Sequence, residues 1–422
     1  MLIDTLEVLR CPYCGGRLSL VDSLYHRSSG DDIQDGILGC HCCIFPVVDG
    51  IPVLHLHAAA TTAREQIQAG RADLARRTMF GLENDAQAEA FDAVASSDTA
   101  TYRQTVDALG PNFEGGYFLY RFSDPTYIVA QAVARAVAAT VLGGSRRAID
   151  ICGGSGPVTR SLLGLSSTAP VLADLYFAKV WLARRFTAPG CEPVCCDGNA
   201  PMPFARGAFA FAMCTDAFMY IWTKRQFVGE MERLIDGHRS GAGGDEAPGA
   251  VLIGHTHNER TWSPSHGQPL SPEGYAELFE TLEPRIFGEA GLFADVVGGG
   301  PLDLSRRDDQ ETLDGDLALT IVASRLPGVF AQHPLPQPGP ATGELRINPL
   351  YAIDPDGDGV RLRLGFPSDD YEQEYGACRE YLPAELTLDR SAIASLETGR
   401  ISGELVDLFR RKVIVDLPKR YY

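Results

Sequence analysis

Five of the eleven cysteines fall between positions 11 and 43: Cys11-Pro-Tyr-Cys14, a gap of 25 residues, then Cys40-His41-Cys42-Cys43. Each CxxC pair can fold into a tight knuckle with its thiolates on one side, and two knuckles complete the tetrahedral site that Zn²⁺ takes. The spacing predicts a structural zinc on Cys11, Cys14, Cys40 and Cys43, with Cys42 a bystander; His41 or Cys42 in place of Cys40 or Cys43 is the alternative. A second concentration of chemistry is "GHTHNERTWSPSHGQPL", where His255, His257 and His266, three of nine histidines, lie within twelve residues. Residues 255 and 257 of a strand share a face. They read as a general base or a metal-binding pair, against the plainer reading of loop packing. The third stretch is "RAIDICGGSGPVTRSLLG", residues 147–164, an apolar run ending at Asp150, then a glycine cluster, then the expected start of a helix.

The glycine turn fits neither phosphate-binding pattern. Counted from Gly154, a dinucleotide fingerprint would need a glycine where Thr159 stands, and the Gly-Lys-Ser/Thr of a P-loop is missing. Asp150 at the strand end would repel phosphate and suits a ligand carrying positive charge. S-adenosylmethionine carries a sulfonium and an ammonium. "AIDICGGSG" resembles motif I of class I S-adenosylmethionine-dependent methyltransferases, commonly hhDhGxGxG, with Cys152 standing where the first glycine usually sits and Gly153 following it.

The remaining motifs of that family follow in order. "PVLADLY" ends a strand in Asp174, 24 residues after Asp150, where an acid can accept both ribose hydroxyls. "EPVCCDGNAPMPF" resembles the end of the third strand, with Asp197 and Gly198 at the adenine. "GAFAFAMCTDAFMYI" resembles the fourth strand and brings Cys214, Thr215 and Asp216 near the transferable methyl. "TKRQFVGEMERLIDG" reads as a helix with Phe227, Met231, Leu234 and Ile235 on one face. "GAVLIGHTHN" is the fifth strand, "LSPEGYAELF" opens a helix capped by Ser271, and "LALTIVASRL" closes the sheet. The resemblance implies an α/β, Rossmann-like methyltransferase sheet over residues 115–326. It places the cofactor on Asp150, Gly153, Gly154, Gly156, Asp174, Asp197, Gly198 and Thr215. His255 or His257 is then the base, with Asp216 an orienting acid. In "GGYFLYRFSDPTY", which precedes the fold, Tyr117, Tyr120 and Arg121 are expected to contact the methionine carboxylate or the substrate.

Around the cysteines, "LEVLRCPYCGGRLSL" and "CHCCIFPVVDGIPVLH" resemble the small zinc ribbons that serve as activator subunits of tRNA and protein methyltransferases, over residues 1–56. That resemblance implies a structural metal and an interaction surface. Residues 57–114 are alanine-rich and charged and predict a helical connector; 239–249 is a surface loop. Five prolines between 326 and 343 set off a small α+β extension, 344–422, that resembles no family we identify. Its "DPDGDGVRLRLGF" matches the first half of a calcium loop, but Gly365 replaces the bidentate glutamate, so a hairpin is the better reading.

Whole-chain properties bound the function. At 422 residues two or three domains are expected. No apolar run of membrane-spanning length and no secretory leader is present, which predicts a cytoplasmic protein. The net charge of −18 disfavours a nucleic-acid partner; the arginines at 184–185 and 410–411 read as solvated faces. The end of the fourth strand reads "CTDA", without the Asn/Asp-Pro-Pro-Tyr of base-amino methylating families. The expected function is methylation of a small molecule such as a secondary-metabolite intermediate. A cofactor-binding enzyme of ring closure or elimination is the first alternative. An rRNA or tRNA methyltransferase is the second, because bacterial rRNA guanine methyltransferases also carry an N-terminal zinc module. A homodimer or protein partner would meet the ribbon or the extension.

Overall fold

The computed structural model describes residues 1–82, 84–110, 118–237, 248–263, 267–336 and 339–422. At its centre is a seven-stranded sheet. Its strands are β1 (Ala148–Ile151), β2 (Val171–Asp174), β3 (Glu192–Cys195), β4 (Phe211–Thr215), β5 (Ala250–His257), β6 (Pro284–Gly288) and β7 (Ala318–Ser324), in the order β6-β7-β5-β4-β1-β2-β3. Strands β1 to β5 run parallel, and β7 runs antiparallel between β5 and β6. The order reverses between β1 and β4, so the carboxyl ends of β1, β2, β4 and β5 surround one crevice. Both faces are covered, and the strands are largely apolar, as such burial requires, with polar residues mostly towards their ends. Val171, Ala173, Ala212, Cys214, Val251 and Ile253 face one core. The residues between them, Leu172, Met213 and Leu252, face the other.

Helix α1 (Pro125–Val141) packs on the second core, with Asp124 as its N-cap and Pro125 at its first turn. Helix α2 (Phe177–Leu182) runs on into a π-turn over Ala183–Thr187. Helix α3 (Lys224–Ile235) buries the expected Phe227, Met231, Leu234 and Ile235. After β1, however, the chain makes only a 3₁₀ turn, Thr159–Leu162. Gly164 at φ 78° and the Ser-Ser-Thr-Ala-Pro run beyond it leave no room for a longer helix.

Residues 1–53 form the small antiparallel sheet of the ribbon (Ser19–Leu20, Arg27–Ser29, Asp32–Gly39, Ile44–Val48, Ile51–Pro52). Its exit strand lies against the outer edge of β3: Val53 pairs with Cys195 in parallel, and Leu54 N–H donates to the Cys195 carbonyl at 2.7 Å. The ribbon therefore caps an edge that would otherwise present open backbone groups. Arg184, expected on a solvated face, docks it instead, reaching Asp32 at 2.9 Å and the Gly50 carbonyl at 2.9 Å. Trp181 adds a bond from its ring N–H to Asp49. Helices follow at Ala58–Gln68, Ala72–Phe80, Asp85–Ala95 and Tyr102–Leu109.

The C-terminal part holds a three-stranded antiparallel sheet (Tyr351–Asp356, Gly359–Leu364, Glu385–Leu388) and a two-stranded ribbon (Glu344–Ile347 with Ile414–Leu417). The acidic motif is the expected hairpin, closed at Asp356 opposite Gly359. Its carboxylates are matched across the strands, Asp354 with Arg363 at 2.5 Å and Asp356 with Arg361 at 3.1 Å. This unit has a core of its own, which takes in Ile128 of α1. Among the described residues no helix is long and apolar enough to cross a membrane.

Candidate functional site

The cysteines of the ribbon meet. The Sγ atoms of Cys11, Cys14, Cys40 and Cys42 all lie within 4.8 Å of one another, with contacts of 3.8 Å (Cys11–Cys42), 3.6 Å (Cys14–Cys40) and 3.5 Å (Cys40–Cys42). Tetrahedral zinc with Zn–S of ~2.3 Å sets sulfurs about 3.8 Å apart, so the set fits the ion. It differs from the expected set at one position. Cys42 joins the group of mutually close sulfurs in place of Cys43, whose Sγ lies 3.3 Å from that of Cys42 but outside the group. The backbone N–H groups of Cys42 and Cys43 point at Cys40 Sγ, at 3.5 and 3.3 Å, the donor pattern that suits a thiolate.

At the crevice the glycine turn is built on left-handed backbone: Cys152 at φ 60°, Gly154 at 58° and Gly156 at 78°. Cys152 adopts the conformation that a glycine would supply without steric cost, which is how the turn survives the substitution. Gly153 has no freedom to change, since a Cβ there would sit 2.6 Å from Asp150 Oδ2. Asp150 is fully buried. Its Oδ2 accepts from Thr159 Oγ1 at 2.5 Å, while its Oδ1 has no partner among the described residues. Thr159, the residue that spoils a dinucleotide fingerprint, is thus the partner of the acid. Burial pushes the Asp150 carboxyl up to about 7, against the Thr159 bond.

Asp174 accepts from Gly154 N–H (3.0 Å) and Tyr176 N–H (2.9 Å), one bond to each oxygen, which leaves acceptor capacity on both. Asp197 makes an Asx turn with Asn199 N–H at 2.8 Å, and His57 from the ribbon's exit stands 3.5 Å from its other oxygen. Gly198 is confined by Cys152, Ile221 and Phe227, each 3.2–3.4 Å from where a Cβ would fall. Phe118 lies over the turn, its ring 3.9 Å from a Cβ built on Gly154, and Lys179 Nζ sits 5.0 Å from that ring's centre. Acids at the ends of three successive strands suit a cationic ligand with hydroxyl and amino donors and disfavour a phosphate.

Across the crevice, at the ends of β4 and β5, lies a charged cluster. Asp216, left-handed at φ 54°, accepts from Arg121 at 2.7 Å, and the same guanidinium holds Asp124 at 3.0 Å. A bulge between Ile253 and Thr256, with His255 at φ 47°, re-aims the end of β5. His255 Nδ1 then lies 2.7 Å from Glu289 Oε2, and its backbone N–H donates to Oε1 at 2.8 Å. Thr320 donates to the same Oε1 at 2.7 Å. The rings of His255 and His257 meet edge to face at 5.6 Å, and Ser263 Oγ is 3.1 Å from His257 Nδ1. Burial alone would lower the pKa of His255, but the Glu289 carboxylate beside it holds the imidazole up to about 9. His257 is lowered, first by burial and then by the charge on His255. At neutral pH the first ring is a cation and the second is neutral.

The linkage follows from these signs. The contribution of His255 to stability is complete below its ordinary 6.5 and is lost as pH rises through about 9. That of Glu289, whose pKa is lowered, holds above its ordinary 4.5 and is lost as pH falls. Replacing Glu289 by Gln removes the main raising cause and leaves burial as the largest one, with the smaller and opposed charges of Asp216 and Arg121. His255 is then expected to titrate below 6.5 rather than near 9, followed through its ring carbon-bound protons by NMR. A midpoint still near 9 would mean that Glu289 is not the cause.

Of the expected site residues, the structure gathers Asp150, Gly153, Gly154, Gly156, Asp174, Asp197 and Gly198 around the turn, and Thr215, Asp216, Arg121, His255 and His257 across from it. Tyr117 and His266 lie outside the described residues. The sequence reading missed Glu289, Asp124 and Phe118. Glu289 carried one usable signal, an acid directly after a strand-like "PRIFG".

No family model and no curated protein sequence matches the chain. Solved structures resemble it in part. A geranyl diphosphate methyltransferase in complex with S-adenosylmethionine is 16% identical over 56% of this chain and 95% of its own, with a TM-score of 0.34. A geranyl diphosphate C-methyltransferase from Streptomyces coelicolor is 16% identical over 44% of this chain and 73% of its own, TM-score 0.32. A TehB-like S-adenosylmethionine-dependent methyltransferase from Corynebacterium glutamicum is 15% identical over 46% and 86%, TM-score 0.32. Likenesses this distant carry no argument about chemistry, which rests on the residues themselves.

Proposed function

We propose that the chain is an S-adenosylmethionine-dependent methyltransferase acting on a small, largely apolar acceptor, with a structural zinc in its ribbon. The observation that carries the reading is the set of acids at three consecutive strand ends, Asp150, Asp174 and Asp197, arranged around a left-handed glycine turn roofed by Phe118. S-adenosylmethionine, when bound there, would supply the methyl group. Asp174 would hold the ribose, Asp197 the adenine amino group, and the buried Asp150 would face the turn with its open oxygen.

The chain's own residues would do the rest of the work by orienting the acceptor and removing its proton. His257 is the base in this reading, because it is neutral while His255 is already protonated. With His257 Nδ1–H donating to Ser263 Oγ, Nε2 takes the proton. His255, held by Glu289, contributes a fixed positive charge that favours the acceptor's developing anion. Arg121 and Asp216 orient its polar group. The loops after β4 and β5 carry Trp222 and Trp262, 72% and 77% exposed, together with Tyr220. Solvent-facing aromatics beside a crevice suit a flat apolar acceptor.

Incubation with methyl-labelled S-adenosylmethionine and fractionated small-molecule extracts tests the reading. A labelled product one methyl heavier than its precursor is expected. His257→Gln should lower its formation by about 10²–10³-fold while leaving S-adenosylhomocysteine affinity unchanged. Product formed without the label would point to ring closure or elimination and sink the methyl-transfer reading.

A further inference from the structure

We propose that the C-terminal unit, residues 342–422, is a clamp that holds residues 118–124 as a roof over the cofactor turn, with Tyr381, Asn348, Tyr421 and Tyr422 as its positioning residues. The inference rests on the reading of the crevice as an S-adenosylmethionine site.

The roof is a short piece of chain made of single turns. It carries Phe118, which covers Gly154, and Arg121, which reaches Asp216. Its backbone consists of a helical turn at Phe118–Leu119, a 3₁₀ turn at Arg121–Ser123 and the N-cap Asp124, with no long helix or strand to fix it. Hydroxyls from well-separated parts of the C-terminal unit converge on its carbonyls. Tyr421 donates to the Phe118 carbonyl at 2.6 Å, Tyr422 to that of Leu119 at 2.7 Å, and Tyr381 to that of Ser123 at 2.7 Å. The Ser123 hydroxyl donates in turn to Asn348 Oδ1 at 2.9 Å. Asn348 is fully buried and tied by its own amide to the Lys412 carbonyl at 2.8 Å.

A buried hydroxyl is costly unless bonded, so each of these bonds selects one position of the roof. The same unit also grips the chain that follows the glycine turn. Arg160, in the 3₁₀ turn after the glycines, binds Asp416 through both the carboxylate (3.0 Å) and the carbonyl (2.5 Å). A domain that only packed against the fold would have no reason to send three tyrosine hydroxyls to successive parts of one seven-residue stretch.

The test compares Tyr421→Phe/Tyr422→Phe and Tyr381→Phe, which keep the rings and lose only the hydroxyls, with Tyr351→Phe. The Tyr351 hydroxyl bonds the Pro383 carbonyl at 2.9 Å inside the unit and does not reach the roof. Hydrogen exchange of the peptide spanning 118–124 should quicken about tenfold in the first two variants and not in the third. S-adenosylhomocysteine should bind them about threefold to tenfold more weakly by calorimetry, with a faster dissociation rate. Unchanged exchange in the double variant overturns the clamp. So does an equal effect from Tyr351→Phe, and so does a loosened roof with undiminished affinity. If the unaltered protein binds no S-adenosylhomocysteine, the cofactor reading fails, and the exchange experiment still shows whether the roof is held.

Discussion

Asp174→Ala is expected to weaken S-adenosylhomocysteine binding by at least about a hundredfold. Two hydrogen bonds from a ribose diol to one carboxylate are charge-assisted, each worth about 1.5–3 kcal/mol, and about 1.4 kcal/mol corresponds to a factor of ten. The effect has a second source. Asp174 also receives the N–H groups of Gly154 and Tyr176, so removing it frees the turn as well as the sugar. Asp174→Asn separates the two, because the amide keeps an oxygen for one of those bonds at nearly constant volume. It should cost about tenfold. Calorimetry on the three proteins measures both. If the alanine variant binds within threefold of the parent, the carboxylate does not touch the ligand and the assignment of the crevice falls.

Loss of the ribbon's metal is expected to have the largest effect on stability. A structural zinc contributes on the order of 10 kcal/mol to a module that cannot fold without it. Here the module is also fastened to the central sheet, through Val53 beside Cys195 and through Arg184 and Trp181. Cys14→Ser should purify without zinc and melt ~10 °C lower or more, since even a few kcal/mol moves a domain of this size that far. It should also aggregate, as the edge of β3 loses its cover. Metal analysis and thermal scanning of Cys42→Ser beside Cys43→Ser decide the fourth ligand. The thiol geometry expects the first to lose the ion and the second to keep it. A parent protein that purifies and refolds metal-free would end the zinc reading.

What the sequence made legible was local. The glycine turn, Asp174 and Asp197 belong to short motifs in which a strand end and the residues just beyond it are fixed together, so type and spacing carry the information. The clustering of Cys11, Cys14, Cys40 and Cys42 was legible too, yet the choice between Cys42 and Cys43 was not. It depends on how the backbone of the second knuckle turns its two adjacent thiols, whose sulfurs lie 3.3 Å apart. The stretch after the glycines predicts a helix, and the structure has only a 3₁₀ turn there, because Gly164 and the polar run behind it prevail.

Glu289 stayed hidden for a different reason. It meets His255 only because β5 bulges and the chain returns through β6, 34 residues later. Arg121 was expected at the cofactor or substrate and is found holding Asp124 and Asp216. Asp124 is a local partner, three residues on, whereas Asp216 lies at the end of β4 and meets Arg121 only through the fold.

The hydroxyl of Tyr421 and the carbonyl it binds at Phe118 are 303 residues apart in the chain. At a synthesis rate of about 5–20 residues per second, that separation amounts to ~15–60 s on the ribosome. Through that interval the sheet and its glycine turn can form while the segment above them remains untethered. On the proposed reading the roof is fastened only after residue 421 has been made, and a nascent chain halted before it would hold its nucleoside more loosely than the longer chain.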